Sequence, residues 1–252
     1  MSDGGGASPR EAGGPAEVVV ALDYPGPGPA REMADRLPAG TWCKVGLELF
    51  AAAGPGFVEE LAADGHPVFL DLKLHDIPNT VEGAVRSAVR TGARMLTVHA
   101  SGGREMTAAA AGAAREAAPA GAPVKILAVT VLTSLDGAGL EEVMGQGAGV
   151  EESVLRLARL AREGGADGVV SSVGECRRLK EELGRDFRVA TPGIRLPGDS
   201  AHDQQRVATP ADAARAGSDY LVVGRSITQA DDPAAALERV RAGVREGTAP
   251  AG

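Results

Sequence analysis

Cysteine is nearly missing from this 252-residue chain: Cys43 and Cys176 are its only two, far apart and outside any C-x-x-C motif. Such sparse thiols argue for two free cysteines in a reducing cytosol rather than a disulfide framework. Long apolar runs are also missing. None approaches the roughly 20 residues that a membrane-crossing helix needs, which excludes a spanning segment. One-signed charge blocks are absent too. The net charge is −8, from 34 acidic and 26 basic residues, and the two signs are interspersed. General attraction to nucleic acid or to an anionic membrane is therefore excluded, and a phosphate ligand would have to be held by a local site. Residues 1–16 consist of Gly, Ala, Pro and charge, without the apolar stretch of a secretory signal. They are expected to form a disordered tail, as are residues 247–252, and the protein is expected to be cytoplasmic.

What is present is a sizeable apolar fraction, 44%, arranged in alternating strand-like and helix-like segments. The strand candidates are Val18–Asp23, Thr41–Gly46, Val68–Lys73, Arg94–His99, Val124–Thr130, Asp167–Ser171, Arg188–Thr191 and Asp219–Val223. Between them lie helical patterns, among them Pro29–Leu37, Leu47–Ala63 with a break near Gly54-Pro55-Gly56, Pro78–Thr91, Glu151–Glu163 and Pro233–Val244. Continuous apolar strands are expected where helices cover both faces of a sheet. Eight β-then-α units within residues 17–246 predict an α/β, single-domain (β/α)8 TIM barrel. An open doubly wound sheet is the alternative. Trp42 and Phe69 read as barrel packing.

The most informative stretch is Asp71-Leu72-Lys73-Leu74-His75-Asp76-Ile77-Pro78-Asn79-Thr80. It follows the apolar run Val68-Phe69-Leu70, and Pro78 suits the first turn of a helix. Side chains two apart on a strand share a face, so Asp71 and Lys73 should point the same way as Phe69. Desolvating charges is costly unless they are paired, so a charged pair at a strand end reads either as an ion pair closing a barrel or as a site. Polar residues close nearly every proposed strand: Asp23, Lys44, Asp71 with Lys73, His99, Thr130, Ser171 with Ser172, Thr191 and Gly224-Arg225. Barrel active sites lie at that end, which favours a site and predicts a ring of acid, base and hydroxyl groups around one mouth. His99 reads as a hydrogen-bonded barrel residue. The lysine among Asp71, His75, Asp76 and His99 argues against a metal there.

Together these pieces resemble the orotidine 5′-phosphate decarboxylase family of bacterial type. The resemblance rests on Ala21-Leu22-Asp23, Lys44-Val45-Gly46, Asp71 through Thr80, His99 through Gly103, Val131-Leu132-Thr133-Ser134, Thr191 through Arg195, Asp203-Gln204 and Val223-Gly224-Arg225, in the family's order. It implies a TIM barrel, a homodimer with shared sites, no cofactor and no metal. It also implies conversion of orotidine 5′-phosphate to uridine 5′-phosphate, the last step of pyrimidine nucleotide synthesis. Lys44, Asp71, Lys73 and Asp76 would form a charged array, with Lys73 the proton donor and Asp76 reaching into the partner's site. Asp23, Lys44 and the cross-subunit Thr80 would contact ribose, Thr133 or Ser134 the pyrimidine, and Ile77 the substrate. Gln204 and Arg225, with groups near Arg195 and Gly224, would hold the phosphate, and residues 193–205 would form a gripping lid. The segments 196–202 and 145–149 match no family motif.

The chemistry suits the residues. Decarboxylation at C6 leaves an electron pair in the ring plane with little resonance relief, so electrostatics must carry much of the stabilisation. A cationic Lys73 beside C6 can stabilise that pair and then deliver the proton, and acidic neighbours favour its ammonium form. Asp71 beside the substrate carboxylate would add ground-state repulsion. Two other readings stay open: a magnesium-dependent barrel lyase acting on a sugar phosphate, and a catalytically silent nucleotide sensor.

Overall fold

A computed structural model describes residues 16–145, 149–197 and 208–249, and the described chain alternates strand and helix. Strand β1 (Glu17–Ala21) is followed by α1 (Pro27–Asp35), β2 (Trp42–Gly46) by α2 (Leu47–Ala63), and β3 (Val68–Leu74) by α3 (Pro78–Arg90). Next come β4 (Met95–His99) with a 3₁₀ turn (Ala100–Gly102) and α4 (Gly103–Ala117), then β5 (Lys125–Val129) with α5 (Gly137–Met144) and α6 (Val150–Glu163). The last units are β6 (Gly168–Val170) with α7 (Val173–Leu183), β7 (Arg188–Thr191) with α8 (Pro210–Ala216), and β8 (Tyr220–Val223) with α9 (Arg225–Thr228) and α10 (Pro233–Thr248). All eight strands run parallel and in sequence order, and β8 closes onto β1. This is the TIM barrel that the sequence predicts. No helix among the described residues is long and apolar enough to cross a membrane.

Local chemistry explains the punctuation. Pro27, Pro78, Pro210 and Pro233 stand in first helical turns, where proline's missing N–H costs nothing. Asp136, Thr209 and Asp232 accept from free backbone N–H groups at helix starts, and Ser172 with Glu175 forms a reciprocal capping box. The break expected in α2 is a kink at Gly54, whose φ of 71° a side chain would resist. At the end of the chain, α10 runs on to Thr248, four residues past the predicted end at Val244.

Strand alternation builds two cores. Val18, Val20, Val45, Leu70 and Ile126 face outward and pack beneath the helices. Val19, Phe69, Met95, Leu127 and Tyr220 face inward and fill the barrel. Trp42 meets Tyr220 edge to face, with ring centroids 5.8 Å apart, so both predicted packing aromatics, Trp42 and Phe69, serve the interior.

Below this filling the barrel is tied by charge. Asp219, just ahead of β8, accepts from Lys180 Nζ at 2.5 Å, Arg188 Nη1 at 2.9 Å and the Val189 amide at 2.8 Å. Lys180 also donates to the carbonyls of Arg185 and Phe187. Toward the other rim, Lys44 on β2, Asp71 on β3 and Thr97 on β4 bring polar groups inward.

Candidate active site

At the C-terminal ends of the strands, β1 to β3 bring four charges together. Lys44 Nζ lies 2.9 Å from Asp23 Oδ1 and 3.8 Å from Asp71 Oδ2. Lys73 Nζ donates to the same Asp71 Oδ2 at 2.8 Å. The Lys44 and Asp71 side chains are only 10% and 12% exposed, whereas Asp23 is 65% exposed and marks the rim. Two ammonium groups facing two carboxylates sum to zero charge, the condition under which ions can leave water without a large uncompensated cost.

The β3 backbone reaches this arrangement by an irregular route. Leu70 pairs with Leu96 and Leu74 with Val98, so four steps along β3 match two along β4. The extra length is a bulge, a device that re-aims side chains at strand ends. Lys73 sits in it with φ of 49°, the only positive φ at a non-glycine position among the described residues. A left-handed lysine costs on the order of 1–2 kcal/mol and persists only where its surroundings enforce it. The Lys73 amide meets Thr97, which is wholly buried. Its hydroxyl accepts from the Lys73 amide at 2.9 Å and donates to Asp71 Oδ1 at 2.8 Å.

Above the charges lies a cavity of about 150 Å³. Lys44, Asp71, Lys73 and Thr133 line one part of it, and Phe69, Val129, Val131, Leu132, Val170, Pro192 and Val222 the rest. Of the two candidates Thr133 and Ser134, Thr133 is the one lining the cavity, while Ser134 is exposed. A flat ring with polar edges would have charge beneath one edge and aliphatic groups around it.

Other predicted residues fall differently. Asp76, Ile77 and Thr80 are exposed, and the Asp76 carboxylate accepts from the Ile77 amide at 2.7 Å. Within one subunit Asp76 therefore does not flank Lys73, and Asp23 supplies the second negative charge. Arg195 follows β7 and Arg225 opens α9 after Gly224, so the loops after the seventh and eighth strands carry the guanidinium groups, the usual phosphate end of such barrels. Gln204 and most of the segment read as a lid lie outside the described residues.

The hydroxyl ring is narrower than strand ends alone suggest. Thr130 Oγ1 donates to the Val170 carbonyl, and Thr191 pairs with Ser218 at 2.7 Å. Both have the outward phase of the alternation. Ser171 and Ser172 are drawn to Glu175 at the start of α7. His99 ends β4 half-buried, its ring 5.4 Å from that of His75. Burial, reinforced by His75 and Lys73 against the pull of Asp71, holds its pKa below the ordinary histidine value, so it is neutral at pH 7.

Residues 16–240 match the model of the orotidine 5′-phosphate decarboxylase / HUMPS family. The chain belongs to that family. It is 52% identical over 230 residues to the orotidine 5′-phosphate decarboxylase of Moorella thermoacetica, covering 90% of this chain and 91% of the relative. It is 53% identical over 230 residues to the one from Halorhodospira halophila, covering 91% and 96%. The crystal structure of the Lactobacillus acidophilus orotidine 5′-phosphate decarboxylase superposes with a TM-score of 0.83 at 38% identity, covering 92% of this chain and 99% of that one. Within this family member, Thr97 is the site residue that sequence reasoning missed. Its one signal was a hydroxyl at an inward position two residues before a strand end.

Proposed function

We propose that this protein is a carboxy-lyase that converts orotidine 5′-phosphate to uridine 5′-phosphate in pyrimidine biosynthesis, without a cofactor. The observation that carries the reading is the Lys73–Asp71 pair at 2.8 Å on the floor of the cavity, with Lys44 beside it, in a chain about half identical to relatives bearing that name. Aliphatic groups hold the pyrimidine, and Thr133 contacts its edge. Lys44 and Asp23 contact the ribose. Arg195 and Arg225, with the Gly224 backbone and Gln204, hold the phosphate. As carbon dioxide leaves C6, the Lys73 ammonium stabilises the in-plane electron pair and then delivers its proton there. Asp71 keeps that ammonium aimed, and it repels the departing carboxylate before the bond breaks.

The site is completed by a second subunit. Asp76 and Thr80 are exposed after β3, beside an apolar Ile77 that is 66% exposed; Leu47, after β2, is 58% exposed on the same end. Exposed apolar groups around a polar mouth suit a docking face. Paired symmetrically, each chain would lend Asp76, Ile77 and Thr80 to its neighbour's site.

The test is the loss of orotidine 5′-phosphate absorbance with a metal chelator present. Turnover should continue unchanged in chelator and fall by at least about 10⁴-fold in Lys73→Ala, the scale on which a charge-stabilising proton donor acts. Turnover that stops in chelator and returns with magnesium would move the protein to the sugar-phosphate lyases. A Lys73→Ala variant within tenfold of the parent would remove Lys73 from the chemistry.

A further inference from the structure

The geometry points to Thr97 as a positioning residue, whose buried hydroxyl fastens the β3 bulge and so aims both Asp71 and Lys73 at the reacting carbon; this rests on the activity proposed above. A hydroxyl has one proton and can accept as well as donate. Here both capacities are spent. The Lys73 amide can only donate, so it takes the hydroxyl's lone pair at 2.9 Å, and the hydroxyl's proton is left for Asp71 Oδ1 at 2.8 Å. The two oxygens of Asp71 are thereby sorted. Oδ1 is held by a neutral donor, and Oδ2 is left to Lys73 and Lys44. The same atom stands where the β3–β4 ladder is interrupted, between the Leu70–Leu96 and Leu74–Val98 pairs. It replaces the backbone acceptor that the bulge removed, and it holds Lys73 in a conformation that lysine otherwise avoids. Thr97 is fully buried and is not among the residues that line the cavity, so its action runs through its two partners.

Three variants test this. Thr97→Val keeps the shape and deletes the hydroxyl. Turnover should fall about 100-fold, the scale of an ångström's misplacement of reacting groups, while KM moves by less than about threefold. Thr97→Ser, which restores the hydroxyl, should recover most of that loss. On an Asp71→Asn background, Thr97→Val should cost less than about threefold more, because residues acting as one unit do not add. The proposal is overturned if Val and Ser behave alike, if KM carries the loss, or if the full penalty persists without Asp71. Should Thr97→Val fail to fold, Thr97→Ala against Thr97→Ser gives the same contrast. Crystal structures of the parent and the valine variant supply a readout that needs no activity. Lys73 leaving its positive φ supports the fastening, and an unmoved Lys73 with Asp71 Oδ1 in place overturns it. An inactive parent would thus sink the activity while leaving the fastening decided.

Discussion

Gly46 occupies a position where any side chain would crowd the first ion pair of the site. A Cβ built there lies 3.2 Å from Lys44 Nζ and 3.5 Å from Asp23 Oδ1. Its φ is −92°, which every residue adopts, so what matters is room rather than backbone freedom. Gly46→Ala should push the Lys44 ammonium off Asp23 and lower kcat/KM about tenfold, with the melting temperature little changed. Steady-state kinetics beside a thermal melt check this, and parental kinetics would show that Lys44 has slack. Single residues were unevenly legible in the sequence. Lys44, Asp71 and Lys73 stood out because their charges close apolar strands within a whole ring of polar strand ends. Thr97 did not, since a threonine between Leu96 and Val98 reads as an ordinary strand residue. Thr130 and Thr191 were misread in the other direction. Each closes a strand, but one residue of phase turns its hydroxyl away from the mouth.

Elements were more legible than residues. The strands follow their apolar runs, and all eight lie within a residue or two of their predicted limits. The α2 kink was visible in Gly54-Pro55-Gly56. The β3 bulge was not, because Asp71-Leu72-Lys73-Leu74 is a clean polar–apolar alternation and reads as straight strand. Only the register against β4 reveals it. Closure of the sheet was likewise beyond periodicity, which gives strands their faces but not their neighbours. Between elements, the tie at Asp219 joins α7, β7 and β8 at the end opposite the cavity. The side chains of Lys180, Arg188 and Asp219 are 13–15% exposed. Asp219→Ala would leave two sheltered cations without their carboxylate and should cost about 3 kcal/mol. The urea midpoint should fall accordingly, while kcat of the folded fraction stays at the parental value. A large loss of kcat at full folding would contradict this separation.

The whole molecule is a filled barrel with chemistry at one end, and its dimeric form is the prediction that belongs to this scale. Lys73→Ala and Asp76→Ala should each be inactive alone. Mixed and allowed to exchange, they should regain about a quarter of parental activity, since each hybrid dimer carries one intact site. Confirmed exchange without recovery would confine Asp76 to its own subunit. The two rims also have a consequence for how such a protein can change over evolutionary time. The Asp219 rivet and the mouth share no side chain, and the plug of Trp42, Tyr220 and Phe69 stands between them. A lineage could redraw the upper loops for a different substrate without loosening the base that keeps the chain folded.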